Sequence, residues 1–210
     1  MRWIPYAEEK QARYDSPQAE LDERGLVRQG NAAYAAGLGL LMAGDPGAAE
    51  WFSRAAARWR ESWDAAEPHE AWGRPIGALK ALLLAGDDEA LSETARWTLE
   101  IGTAASASSI GRYAAALALL ALERWPEARR VSDSLRARDD FPHDVADALA
   151  FVAAHDPVAL VEALESIVGS FEAREEYLED AAVADTALVL HALARRRGID
   201  LPLPDSPVLP

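Results

Sequence analysis

Two stretches of this chain repeat at an offset of 38 residues, and that repetition limits the fold more than any other feature. Gly73-Arg74-Pro75-Ile76-Gly77-Ala78-Leu79-Lys80-Ala81-Leu82-Leu83-Leu84, followed by Asp87-Asp88-Glu89-Ala90, aligns with Gly111-Arg112-Tyr113-Ala114-Ala115-Ala116-Leu117-Ala118-Leu119-Leu120-Ala121-Leu122, followed by Trp125-Pro126-Glu127-Ala128. Gly73, Arg74, Leu79, Leu82, Leu84, Glu89 and Ala90 each meet the same residue in the second copy. Each copy reads as two helices joined by a tight turn. One such unit cannot bury its apolar face alone, so units of this period stack into an array.

Helix punctuation extends the pattern along the chain. Gly44-Asp45-Pro46, Gly86-Asp87, Trp125-Pro126 and His155-Asp156-Pro157 combine stop and start signals: glycine ends a helix, aspartate caps the next, and proline lacks the N–H that would go unpaired there. These turns fall 42, 38 and 31 residues apart, so the repeat is irregular. Helices are predicted over 73–85, 88–101, 109–123, 126–137, 142–154, 157–171 and 181–197, with earlier ones from Ser16-Pro17 towards Ala43, broken near Gly25 or Gly30, and from Pro46 to Trp63. The first helix of each pair is apolar nearly all round and should be buried; its partner is amphipathic and should lie outside. The fold class is all-α, an array of antiparallel helix pairs with about nine helices. Residues 1–15 read as an N-terminal arm, 16–198 as one helical-repeat domain with a candidate break at 64–72, and 199–210 as an extended tail carrying Pro202, Pro204, Pro207 and Pro210.

Composition agrees with helix. Half of the 210 residues are apolar, and alanine and leucine dominate over the β-branched types that favour strands. The net charge of −14 repels nucleic acid and anionic membranes and attracts a basic partner. There is no cysteine, which excludes disulfides, thiolate catalysis and cysteine metal sites. No apolar run approaches the roughly 18 residues of a membrane span, and Met1-Arg2-Trp3-Ile4-Pro5-Tyr6 lacks the apolar core of a signal peptide. The expectation is a cytoplasmic protein with no cofactor.

Signals of chemistry are sparse. His69, His143, His155 and His191 fall in different elements and make no metal-spaced pair. Phosphate-loop, dinucleotide, nucleophile-elbow and zinc-protease motifs are missing. Three clusters remain as candidate binding residues. Arg74 and Arg112 occupy equivalent positions at the starts of inner helices, where a cation opposes the helix dipole at a cost of about 0.5 kcal/mol. Each pairs with an internal acid, or both line one groove around a carboxylate or phosphate. The second cluster is Glu172, Arg174, Glu175, Glu179 and Asp180, an acidic run ending where Asp180 would cap the next helix. Within that helix Asp185 and Thr186 interrupt apolar residues. A buried carboxylate needs a paired cation, and Arg74 and Arg112 are the candidates, giving one polar seam. The third is aromatic: Trp51, Trp59 and Trp63 advance in steps of four or eight, about 400° per four residues, and so share a helix face, with Trp72 nearby. These tryptophans are core, or they are the face of a homodimer.

Two resemblances follow from these residues. Ala48, Phe52 and Ala55 reproduce the A-x-x-x-F-x-x-A signature of a tetratricopeptide second helix, though the other units do not keep it, so the array is tetratricopeptide-like. Phe171-Glu172-Ala173-Arg174-Glu175-Glu176-Tyr177-Leu178-Glu179-Asp180, Ala184-Asp185-Thr186-Ala187-Leu188-Val189-Leu190-His191 through Ile199, and the ending Asp205-Ser206-Pro207-Val208-Leu209-Pro210 resemble uncharacterised bacterial helical proteins similar to polymorphic-toxin immunity proteins of immunity protein family 49. The Trp72–Lys80 segment shares that resemblance. It implies an all-helical protein that binds and neutralises a cognate toxin, and it brings no catalytic residues. The expected function is therefore a protein-binding inhibitor or adaptor. The alternatives are a small-ligand or anion-binding protein or enzyme using the seam, and a homo-oligomer built through the tryptophan face.

Overall fold

A computed structural model describes residues 2–16, 22–66 and 71–210. It is all-helical: α1 Trp3–Asp15, α2 Glu23–Met42, α3 Ala48–Asp64, α4 Gly73–Ala85, α5 Asp88–Glu100, α6 Ser109–Ala121, α7 Trp125–Arg136, α8 His143–Ala154, α9 Pro157–Glu172 and α10 Asp185–Arg196, with short 3-10 turns at Thr103–Ala105 and Leu178–Asp180. No strand occurs among the described residues. Each helix packs on the next, giving a solenoid-like array. Ten α-helices form among the described residues where about nine were expected, because residues 3–15, read as an arm, form α1. Its Tyr6, Ala7 and Lys10 lie three and four residues apart on one buried face.

Local signals set most boundaries. Asp22, Asp87 and Asp156 cap α2, α5 and α9, accepting from Gly25, Ala90 and Ala159 N–H at 2.7, 3.0 and 3.1 Å. Gly86 and Gly198 close α4 and α10 with φ of +73° and +77°, a conformation nearly free of cost only for glycine.

The helix start expected at Ser16-Pro17 is corrected. Ser16 follows the end of α1 and its hydroxyl donates to Ala12 O at 2.9 Å, while α2 begins at Glu23 behind the Asp22 cap; Pro17 lies outside the described residues. Neither Gly25 nor Gly30 breaks α2. The candidate break at 64–72 falls between α3 and α4, which pack together, and residues 67–70 lie outside the description.

The last helix departs from simple succession. α10 packs on α9 and α8 and also on α6 and α4. That explains why α6 is buried along nearly its whole length and is apolar all round: neighbours cover every side. By contrast α7 buries only Ala128, Ser132 and Leu135, one stripe at i, i+4, i+7. The tail from Ile199 onwards is not helical, as its prolines dictate, and it is docked on the body through buried Ile199, Leu201, Val208 and Leu209.

Candidate functional site

The start of α10 carries Asp185 into a cleft between α2, α4 and the irregular segment 173–184. Asp185 Oδ2 receives the Lys80 ammonium at 2.6 Å and the Tyr34 hydroxyl at 2.9 Å. Both side chains of the ion pair are largely buried, at 13% and 16% exposure. Thr186 Oγ1 donates to Asp185 Oδ1 at 3.3 Å and accepts from Lys80 at 3.3 Å. Burial first, and then the Asp185 charge, push the Tyr34 phenol well above its usual pKa, so it stays protonated and donates. The Tyr113 hydroxyl is pushed up by the same two causes. It is buried, on a residue 8% exposed, and has no hydrogen-bond partner among the described residues.

Three hollows meet here. One of about 270 Å³ is bounded by Asn31, Tyr34, Lys80, Glu176, Leu178 and Asp185, among others. A second, on the Trp59 and Arg74 side, shares Asn31, Tyr34, Lys80, Leu178 and Asp185 with it. A third, lined by Ile110 and Tyr113, shares Phe171, Arg174 and Thr186 with the first. Together they trace a groove along the inner helices.

The outer wall is the segment between α9 and α10. Glu179 and Asp180 both have left-handed backbone, with φ of 56° and 62°, a strained state for residues other than glycine. Ties to α1 hold it. The Tyr6 hydroxyl donates to Glu179 O at 2.8 Å, and the Glu179 carboxylate faces Arg13 at 2.5 Å and Lys10 at 3.5 Å. Burial, then Glu179, raise the Tyr6 pKa.

The expected residues are only partly brought together. Arg74 is buried and pairs with Glu23, while its Nη1 donates to Ser62 O at 2.8 Å. The Arg112 guanidinium donates to Ser106 O at 3.1 Å. The expected seam of Arg74, Arg112 and Asp185 is therefore corrected: Asp185 takes Lys80 as its cation, because Lys80 lies two turns into α4, level with the start of α10, whereas Arg74 lies at the helix end beside α2 and α3. Asp180 does not cap α10; it belongs to a 3-10 turn, and α10 begins five residues later. Glu172 is exposed and accepts from Ser206 Oγ at 2.6 Å. Arg174 is exposed and lies over the Phe171 ring at 3.7 Å. Glu175 is exposed.

Trp59 and Trp63 are core. Trp59 contacts the Tyr34 ring and Trp63 packs on Trp72 and Trp97. Trp51 is half-buried, edge-on to Tyr14 under Arg54; Trp72 is half-buried too. His143 opens α8, His155 closes it in left-handed conformation, and His191 Nε2 bonds Leu201 O at 2.9 Å, all structural positions; His69 lies outside the described residues.

Sequence reasoning missed Lys80, Tyr34 and Tyr113. One signal was available. The chain contains only two lysines, Lys10 and Lys80. Both are withdrawn from solvent, each against a carboxylate of the region that walls or starts the site.

No grouping of histidine and carboxylate among the described residues could hold a metal ion, and no described helix is long and apolar enough to cross a membrane. Comparison with protein-family models, curated proteins and solved structures found no match.

Proposed function

We propose that this protein is a non-catalytic binding module whose inner groove and acidic lip receive a segment of a basic partner protein. One observation carries the reading. Ile110 and Leu178, 43% and 62% exposed and two of the few large apolar side chains left in solvent, both line the groove. Apolar side chains set in a concave, polar-rimmed surface are the usual face of a recognition site. The charge supports a basic partner, since −14 over 210 residues would steer an oppositely charged protein and speed association.

The stretch that resembles immunity proteins, from Phe171 onwards, includes the groove's outer wall and Asp185. That supports a cognate toxin as the partner, inhibited by occupation rather than by chemistry.

Site-specific photo-crosslinking tests the reading. A benzophenone side chain placed at position 178 should capture one discrete protein in the native cell. The same group at Val158, 77% exposed on α9 and away from the groove, should not. Capture should weaken as salt rises, mainly through the association rate. Equal labelling from both positions, or none from position 178, discards the groove as the docking surface.

A further inference from the structure

We infer that the hollow around Asp185 is a guanidinium pocket, which takes an arginine side chain from the docked partner segment; this rests on the groove being the docking surface. The first observation is unspent acceptor capacity. Lys80 and Tyr34 both use Asp185 Oδ2, leaving Oδ1 with a single long bond from Thr186 at 3.3 Å. A carboxylate offers about four lone-pair sites, and a guanidinium offers five N–H donors in a planar fork that fits it side-on.

The second observation is independent. Tyr113 lines the adjoining hollow, whose wall includes Thr186, and its Oη is buried without a partner among the described residues. A buried hydroxyl without a partner costs free energy in the empty protein, and that cost is recovered when a ligand supplies the missing bond. Asp185 lies close enough for its charge to act on this hydroxyl.

The third is the approach. Glu176 lines the same hollow. It is exposed and makes no ion pair with a described residue. Arg174 is the opposing charge on the wall; it rests on Phe171 rather than on a carboxylate. Glu176 and Asp185 Oδ1 are thus the acceptors open to an incoming cation. The planar, weakly hydrated guanidinium fits this better than the compact, strongly hydrated ammonium of lysine.

Amide NMR of the full chain, titrated with acetyl-Gly-Arg-Gly-amide and with its lysine and citrulline counterparts, tests the pocket. Citrulline keeps the shape of arginine and removes the charge. The arginine peptide should shift the Asp185 and Thr186 amides saturably, and citrulline should bind at least about tenfold more weakly. Tyr113→Phe and Glu176→Gln should each weaken the arginine peptide several-fold while the melting temperature holds or rises. Arg174→Ala should tighten it. Equal binding of citrulline, shifts confined to other regions, or weaker binding in Arg174→Ala overturns the pocket; the last outcome would mark an anion site. Free L-arginine binding as tightly as the peptide overturns the partner segment as its source. If position 178 still crosslinks one protein while the arginine preference is absent, the pocket fails and the docking groove stands. Loss of that crosslink removes the groove itself.

Discussion

Trp59 offers a test of the packing in which a sign changes. Its indole is bounded by two glycines on neighbouring helices. A Cβ on Gly77 of α4 would lie 2.7 Å from Cε3, and one on Gly30 of α2 would lie 2.7 Å from Cδ1 and Nε1. Carbon atoms pack best about 3.5–4.0 Å apart. The ring has little room to retreat: it is 5% exposed, and its Nε1 donates to Asn31 Oδ1 at 3.2 Å. Replacing a helix-interior glycine by alanine gains about 1 kcal/mol from propensity alone. Overpacking against a fixed ring costs about 1–3 kcal/mol, so Gly77→Ala should destabilise by up to roughly 2 kcal/mol net. Trp59→Ala should cost about 3–5 kcal/mol. In the Trp59→Ala background the obstacle is gone and Gly77→Ala should stabilise by about 1 kcal/mol. The coupling in the cycle is then roughly 1–3 kcal/mol. Urea unfolding followed by circular dichroism at 222 nm measures it without relying on the removed fluorophore. Additivity within about 0.5 kcal/mol would show that the ring is not confined as described.

Other outcomes follow from the same contacts. Asp185→Ala strands Lys80 in a largely buried site and should cost about 3–5 kcal/mol by thermal melting; adding Lys80→Ala should cost less than the two single changes summed, whereas adding Arg112→Ala should be additive. Tyr6, Tyr34 and Tyr113 all have raised pKa values when folded, so the folded state holds their protons more tightly than the unfolded chain. Their contribution is complete below the unfolded phenol pKa of about 10 and is lost as pH climbs above it, so absorbance at 295 nm should show these phenols ionising together with unfolding; independent titration before unfolding contradicts the burial. Deleting residues 205–210 removes buried Val208 and Leu209 and should lower stability by about 3–6 kcal/mol, and an unchanged melting temperature would show that the tail is not docked.

The helices were legible because their ends are written in short-range chemistry. Asp87, Ser108 and Asp156 cap within three residues of themselves, and Gly86 and Gly198 turn the chain where only glycine does so cheaply. The partners of the charged residues were not legible, because they lie far off in sequence: Arg74 meets Glu23 across 51 residues, and Lys80 meets Thr186 across 106. The repeat suggested that Arg74 and Arg112 act alike. It fixed their positions on α4 and α6 but not their surroundings, since α2 and α3 flank one and the 3-10 turn before α6 flanks the other. α1 was missed because its stripe of Trp3, Tyr6, Lys10 and Tyr14 contains a lysine, and a buried lysine reads from sequence as exposed.

The delayed start of α10 shows how the site depends on contacts that sequence does not place side by side. Propensity favours helix from Ala181, through two alanines, a valine and another alanine. A helix starting there would leave its first N–H groups without intrahelical partners. Instead the Ala184 N–H donates to Val208 O at 2.8 Å, so the docked tail satisfies it, while the Asp185 N–H closes a tight turn on Val183 O at 2.9 Å. Val183 and Ala184, buried at 1% and 0% exposure, fill the core without being helical. The helix then begins at Asp185, whose carboxylate lies at the positive end of the α10 dipole as well as against Lys80. Starting at 181 would bury Asp185 one turn inside the helix and remove it from the cleft mouth. The strained turn at Glu179 and Asp180 opposes this arrangement by about 1–3 kcal/mol per residue, and the ties from Tyr6, Lys10 and Arg13 offset it. The two ends of the chain, α1 and the tail, thus hold the segment that walls the groove, and a change in either should be felt at Asp185 before it is felt in the repeats.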